Sequence, residues 1–170
     1  EHANMLISLS QVSETLCILL IPFVMSRFGI KRVMIIAMLA WVFRFGLFGF
    51  GNPGGGVWMF VLSMIVYGVA FDFFNVSGSL FVNQEVSGKL RSSAQGLFVL
   101  MTNGVGATVG TLGAQAVINN FVDMTSMAPQ VEGWQTSWLI FAGYALAVAL
   151  LFMVVFDSGK KRQSTEKLTR

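Results

Sequence analysis

The stretch YGVAFDFFNVSGSLF, residues 67–81, places a single acidic residue inside a long apolar run. Asp72 has aromatic residues on both sides. An ionised carboxylate in such surroundings is costly unless it has a partner, takes up a proton, or faces water and a ligand. The surroundings of Asp72 therefore decide much of what this protein can do, and the first question is whether the apolar run spans a membrane.

The composition of the chain is typical of a membrane protein. Its 170 residues are 55% hydrophobic and only 11% charged, whereas soluble domains carry roughly 25% charged residues. Cys17 is the only cysteine and His2 the only histidine, so we predict no disulfide, no metal site and no cofactor. Because the chain begins with Glu1 rather than methionine, we expect it to be a fragment of a longer protein.

Five segments are apolar over the roughly 20 residues that a membrane helix needs. The predicted fold class is therefore an all-α membrane protein with five transmembrane helices. These form a bundle over residues 1–156, and a basic cytoplasmic tail follows at 157–170. The predicted spans are 7–26, 33–51, 57–83, 93–121 and 134–156.

The basic residues outside the predicted spans occupy alternate connections. The first and third connections and the tail carry them, whereas the second and fourth carry none. The positive-inside rule then puts the N-terminus outside and the C-terminus in the cytoplasm. The net charge of +3 is thus explained as a topology signal, and we predict no nucleic-acid partner. The residues concerned are Arg27, Lys31, Arg32, Lys89, Arg91, Lys160, Lys161, Arg162, Lys167 and Arg170.

The predicted helices fall into two kinds. The second is apolar apart from Arg44, and the fifth is apolar beyond its start, so both are predicted to face lipid. The first, third and fourth carry stripes of polar or small residues at helical spacing, which predicts that they face an interior. The stripes are Ser8, Gln11, Glu14 and Thr15; Gly68, Asp72, Asn75 and Ser79; and Gln95, Thr102, Gly106, Gly110 and Gly113.

Glu14 and Asp72 are the strongest candidates for chemistry. At the helical rise of 1.5 Å per residue, Glu14 lies about 20 Å from Arg27 and Asp72 about 21 Å from Trp58. Both carboxylates therefore fall near the middle of the bilayer, which indicates a shared polar cavity. There they can exchange protons or accept hydrogen bonds from a ligand. The alternative is a structural ion pair with Arg44.

Three other side chains near these carboxylates suit a ligand with a flat ring. Gln11 offers both hydrogen-bond donors and an acceptor, and Tyr67 and Phe71 flank Asp72 with rings that can stack. The alternatives are interhelical hydrogen bonding for Gln11 and ordinary packing for the two aromatic residues. Arg44 is predicted to be a structural or gating residue rather than a substrate contact.

The stretch NGVGATVG, residues 103–110, resembles a glycine-rich nucleotide loop. No strand precedes it and its surroundings are apolar helix, so the match is weak. We interpret Gly106 and Gly110 instead as a site of close helix packing.

Several longer stretches resemble the bacterial nucleoside/proton symporters of the major facilitator superfamily. They are SLSQVSETLCILLIPFVMSRFGIKRVM, AWVFRFGLF, YGVAFDFFNVSGSLFV and RSSAQGLFVLMTNGVGA. The resemblance covers nearly the whole chain and is weakest at 122–133 and in the tail. It implies that the chain is the C-terminal part, helices eight to twelve, of a twelve-helix transporter. That transporter would take up nucleosides with protons, by alternating access, across the bacterial cytoplasmic (inner) membrane.

The resemblance also implies a substrate site. It maps the nucleoside site onto Gln11, Glu14, Tyr67, Phe71 and Asp72, with the carboxylates on ribose hydroxyls and the rings against base or sugar. Asp72 would face a central water-accessible cavity, and Asp72 or Glu14 would carry the proton. The implied partners are the nucleoside, protons, the lipid bilayer and the N-terminal helices of the same transporter, which would act as a monomer.

Three other functions compete with nucleoside transport. A major facilitator for another small polar solute, such as a sugar, would use the same aromatic and polar groups. A membrane module without transport activity is a second possibility. An intramembrane protease needs a membrane serine with a histidine, or two membrane aspartates, and Asp72 is the only aspartate in the predicted spans. We therefore predict that the protein is not an enzyme.

Overall fold

The structure is a computed structural model that describes residues 3–52, 54–123, 125 and 131–156. All regular structure in these ranges is helical, which confirms the all-α prediction for them. The predicted tail at 157–170 lies outside the described residues. The helices are α1 Ala3–Phe50, α2 Val57–Glu85, α3 Arg91–Val99, α4 Ala107–Phe121 and α5 Val131–Val155, and the π-helical stretch Leu100–Gly106 joins α3 to α4.

Four helical runs in the described residues are long and apolar enough to cross a membrane. They are Ile7–Phe50, Val57–Glu85, Arg91–Phe121 and Val131–Val155. The last three agree with the predicted spans to within three residues at each end. The first two predicted spans both lie on α1, the second ending one residue beyond it, so the predicted count of five separate helices is not confirmed.

A single glycine interrupts α1. Gly29 has φ 75° and ψ 165°, which is not helical. This region of backbone space is accessible almost only to glycine. A Cβ atom at Gly29 would meet nothing within 4 Å, so the backbone conformation, not crowding, requires glycine here. We call residues 3–28 the first arm of α1 and residues 30–50 the second arm.

The first arm runs in the same direction as α2. The Ser13 hydroxyl donates to the Ile65 carbonyl, and the Ser77 hydroxyl lies 3.3 Å from the Met25 sulfur. Both pairs are separated by 52 residues. A constant separation means that the two helices advance together, so they are parallel.

The second arm runs in the opposite direction to α2. The ring of Trp41 lies 6.0 Å from that of Tyr67, whereas the ring of Phe48, further along the arm, lies 5.7 Å from that of Phe60, earlier in α2. The chain therefore reverses at Gly29, and the two arms lie side by side on α2.

The second arm also packs antiparallel on α5. Phe45 lies 6.2 Å from Phe141 and Phe48 lies 4.7 Å from Trp138, measured between ring centroids. The Gln135 amide donates to the Gly51 carbonyl at 3.0 Å. These contacts place the peripheral α5 against the second arm, on which Arg44 lies.

Both arms of α1 and α2 share one apolar core. Its buried members come from the first arm, the second arm and α2 in turn, so it joins the three segments. They are Cys17, Ile21, Val33, Ala37 and Phe73.

The helical run from α3 to α4 is held at its two ends. Within the described part of the chain, α3 packs on α2 and α4 packs on α5, while the π-helical stretch contacts only its own continuations. The middle of this run therefore has no neighbour among the described residues.

We expect Gly29→Ala to destabilise the protein by about 1–3 kcal/mol, because alanine adopts this backbone conformation only with strain. The measurement is made on the full-length protein that contains this chain, purified in detergent. It is the half-loss temperature, at which half of the monodisperse peak in size-exclusion chromatography is lost. Gly46→Ala is the matched control, since Gly46 lies within the second arm with nothing within 4 Å of its Cβ position. Equal losses in the two variants would contradict the role assigned to Gly29.

Candidate functional site

The first arm and α2 approach most closely at Gly68. A Cβ atom there would lie 2.8 Å from the Ser13 carbonyl oxygen, 2.9 Å from the Glu14 nitrogen and 2.9 Å from the Cys17 sulfur. Only glycine leaves room for this crossing. Because the crossing is parallel, it sets Glu14 beside the turn of α2 that precedes Asp72.

Asp72 is buried at this interface. Its side chain is 7% exposed, and its Oδ2 atom has no hydrogen-bond partner among the described residues. The family resemblance implies that Asp72 faces a central water-accessible cavity. Within the described residues Asp72 is almost completely buried, and the cavity stays a prediction for the whole transporter. A buried carboxylate oxygen without a donor is costly, and protonation or a ligand donor would relieve that cost.

Glu14 links the predicted site residues electrostatically. It is partly buried, and its carboxylate lies within electrostatic range of Arg44, Tyr67 and Asp72. The structure thus brings both predicted carboxylates and Tyr67 together, from the first arm and from α2. In the membrane interior, charges at such range interact much more strongly than in water.

Tyr67 and Phe71 form an aromatic wall on α2. Their ring centroids are 5.5 Å apart with an interplanar angle of 17°, so the four-residue spacing produces a stacked pair. Phe71 is 36% exposed. The Tyr67 hydroxyl has no hydrogen bond to any described residue. An accessible ring face and a free hydroxyl are suited to binding a flat, polar ligand.

Gln11 lies one turn before Glu14 on the first arm. Its side chain is exposed and makes no hydrogen bond to the described residues. Its main-chain carbonyl accepts from the Thr15 hydroxyl at 3.0 Å. The structure therefore places Gln11 one turn from Glu14, and it shows no hydrogen bond between the Gln11 side chain and the other four predicted residues.

Arg44 lies among aromatic rings instead of beside a carboxylate. Its guanidinium carbon is 5.7 Å from the centroid of Trp41, 5.4 Å from that of Phe48 and 4.4 Å from that of Tyr67. Its Nη1 donates to the Ser63 carbonyl at 3.3 Å. Trp41 and Phe48 are not among the site residues predicted from the sequence. Their spacing of three and four residues from Arg44 was the available signal, since such residues share a helix face.

Of the remaining stripe residues, Ser79 and Gln95 form hydrogen bonds between two helices. The Ser79 hydroxyl donates to the Gln95 side-chain oxygen at 3.0 Å, and the Gln95 amide donates to the Ser79 carbonyl at 2.6 Å. This pair joins α2 to α3. A Cβ atom at Gly110 would meet nothing within 4 Å, so the close packing predicted at Gly106 and Gly110 has no partner among the described residues.

Across the described ranges, no group of three or more histidine, cysteine, aspartate or glutamate residues could hold a metal ion. The arrangement that the structure does contain is two neighbouring carboxylates, a stacked aromatic pair and an amide. Such a set can bind a neutral ligand that combines hydroxyl groups with a flat ring.

Comparison with known families gives one match over most of the chain. Residues 1–161 match the family described as "Nucleoside H+ symporter".

Two characterised relatives from Escherichia coli (strain K12) are similar over almost the whole chain. Nucleoside permease NupG is 51% identical over 157 residues, which is 92% of this chain and 36% of the permease. Xanthosine permease is 50% identical over the same shares. The chain therefore spans little more than a third of the length of these relatives.

The fold has a counterpart among solved structures. The crystal structure of the nucleoside transporter NupG superposes with a TM-score of 0.82 at 50% sequence identity, and the match covers 92% of this chain and 38% of that one.

We expect Gly68→Ala to force the first arm and α2 apart, because its Cβ would meet main-chain atoms that cannot rotate away. Overpacking of this kind typically costs about 1–3 kcal/mol. Gly143→Ala on α5 is the matched control, since nothing lies within 4 Å of its Cβ position. The measurement is again the half-loss temperature of the full-length protein in detergent. If Gly143→Ala lowers this temperature as much as Gly68→Ala does, the close crossing is refuted.

Proposed function

Because the chain belongs to the nucleoside H+ symporter family, we propose that its parent protein carries nucleosides together with protons into the cell. The relatives are transporters, not enzymes, and the protein is a multi-pass protein of the inner membrane. This chain would supply one part of the substrate site, and the other part would come from the N-terminal helices of the same transporter.

The observation that carries this proposal is that Glu14 on the first arm lies within electrostatic range of Tyr67 and Asp72 on α2, across the parallel pair of helices. In the proposed site, the two carboxylates accept hydrogen bonds from ribose hydroxyls. The rings of Tyr67 and Phe71 pack on the base or sugar, and Gln11 binds an edge of the base. Each role suits the chemistry of the side chain.

The proton is proposed to travel on Asp72 or Glu14. Asp72 is the more buried of the two, and its Oδ2 has no donor among the described residues. In apolar surroundings the neutral carboxylic acid is favoured over the ion. Binding of a proton at Asp72 would also remove its repulsion from Glu14, so the empty and loaded states would differ in charge at the helix crossing.

The reversal at Gly29 supports five membrane crossings rather than four, with each arm of α1 as one crossing. These would be helices eight to twelve of a twelve-helix major facilitator, with the N-terminus of this chain outside and its tail at 157–170 in the cytoplasm. Arg27, Lys31 and Arg32 surround the reversal, and such charges favour the cytoplasmic side. The two halves would then rock about the site near the membrane midplane.

Cysteine labelling tests the number of crossings. In a parent protein freed of other reactive cysteines, including Cys17, we expect Gly55→Cys to react with an impermeant maleimide in intact cells. Ser26→Cys and Gly88→Cys should react only after permeabilisation, because five crossings put both on the cytoplasmic side. If position 26 is labelled from outside, or stays unlabelled in open membranes, α1 does not cross twice.

Uptake of labelled uridine by the parent protein in proteoliposomes tests the function itself. We expect an inward proton gradient to drive uptake, and Asp72→Asn to abolish the gradient-driven component because asparagine cannot carry the proton. Glu14→Gln should have the same effect if Glu14 carries the proton. If a variant still exchanges labelled for unlabelled uridine without a gradient, its substitution has removed proton coupling and not substrate binding.

The matched control is Glu85→Gln, which removes an exposed carboxylate from the end of α2 and should leave uptake near that of the wild type. Competition by adenosine but not by sugars would support a nucleoside site. Wild-type vesicles that take up a sugar and no nucleoside would overturn the proposal in favour of a transporter for another solute.

A further inference from the structure

The surroundings of Arg44 are built from two helices. Trp41 and Phe48 lie on the second arm of α1 with Arg44 itself, and Tyr67 lies on α2. All three ring centroids are within the roughly 6 Å at which a cation interacts favourably with an aromatic face, and Tyr67 is nearest at 4.4 Å. The guanidinium thus bridges the second arm to the helix that carries the candidate substrate site.

The position of Arg44 has a cost that packing alone does not explain. An arginine in the middle of a membrane helix is unfavourable by several kcal/mol relative to an apolar residue. In the part of the chain that the structure describes, Arg44 forms no ion pair. Its direct polar contact is to the Ser63 carbonyl, and Glu14 faces it only at longer electrostatic range.

Tyr67 is the residue through which Arg44 reaches the site. The Tyr67 ring receives the guanidinium at 4.4 Å, meets Trp41 edge-on at 6.0 Å with an interplanar angle of 88°, and stacks on Phe71 at 5.5 Å. Its hydroxyl makes no hydrogen bond with the described residues. Aromatic and cationic contacts therefore hold the ring, while its hydroxyl stays available to a ligand.

We infer that Arg44 is a positioning residue for the substrate site: it holds the Tyr67 ring in the orientation that presents the Tyr67 hydroxyl and the Phe71 ring to the nucleoside. Arg44 itself does not touch the substrate. This inference rests on the proposed nucleoside transport. It assigns to Arg44 a role in affinity for the substrate, distinct from carrying the proton and from gating.

The first measurement is uridine binding and uptake by the parent protein with Arg44→Gln. Arg44→Gln removes the cation–π contact with Tyr67 along with those to Trp41 and Phe48, and we expect about a tenfold weaker binding of uridine as a result. KM should rise by the same factor, while kcat and the number of protons moved per nucleoside stay as in the wild type. Arg44→Lys keeps the charge but not the planar group, so its KM should lie between those of the wild type and Arg44→Gln.

A double-mutant comparison separates positioning from general stability. If Arg44 acts through Tyr67, Arg44→Gln should have little further effect on uridine binding in a Tyr67→Ala protein. If the double variant binds uridine more weakly by the product of the two single-variant factors, the inference is overturned. Arg91→Gln, which removes an exposed arginine at the start of α3, is the matched control and should leave the KM unchanged.

A second readout does not require transport. With 3-fluorotyrosine incorporated at position 67, the fluorine NMR signal should be one narrow resonance in the wild type and should broaden or split in Arg44→Gln. If Arg44→Gln is not produced in folded form, Arg44→Lys carries both measurements. An unchanged fluorine signal, or a fall in kcat with KM unchanged, would refute the positioning role.

The two proposals can fail separately. A wild-type protein that neither binds nor carries uridine would remove the proposed function, while the fluorine signal would still report whether Arg44 holds Tyr67. Normal wild-type uptake with an Arg44→Gln protein of unchanged KM would remove only the role of Arg44.

Discussion

The close approach of the first arm to α2 at Gly68 is the constraint on which the candidate site depends. Main-chain atoms of Ser13 and Glu14 lie 2.8 and 2.9 Å from where a Cβ atom at Gly68 would be, so the two helices cannot separate without losing this contact or come closer without a clash. The crossing fixes Glu14 against α2 and covers Asp72. It also buries the core that joins both arms of α1 to α2, because Cys17 and Phe73 lie within one or two turns of it.

Asp72 and Arg44, two ionisable groups of this packed region, both lack an ion-pair partner of opposite charge among the described residues. Among the described residues, Asp72 Oδ2 has no hydrogen-bond donor, and the Arg44 guanidinium lies against aromatic rings where a carboxylate would be expected. In this part of the chain the two groups therefore do not neutralise each other in an ion pair. A direct ion pair would be stable and inert, whereas separated groups keep their capacity to bind a proton or a polar ligand.

The helical architecture could be predicted from the sequence because its main signal, the length of apolar runs, is local. The spans at 57–83, 93–121 and 134–156 agree with the structure to within three residues at each end. The first two spans were predicted as separate helices, and the chain does reverse between them, at Gly29, but the structure has both in the one helix α1, so the count of five helices is not confirmed. Helical periodicity also placed Glu14 and Asp72 on striped faces. It could not show that Asp72 is covered, since burial depends on which helix lies opposite. The aromatic contacts of Arg44 were missed for a similar reason, as Tyr67 comes from another helix.

Among the described residues, the helical run from α3 to α4 packs on other helices only through α3 at its start and α4 at its end. The Ser79–Gln95 pair holds its start to α2, and its far end rests on α5. Between these two ends lies the π-helical stretch Leu100–Gly106, which packs on no other helix among the described residues. A helix held near its two ends bends most easily where no neighbour packs against it. Any change in the distance between α2 and α5 would therefore concentrate as curvature at this stretch, so that displacement of one helix becomes a bend in another.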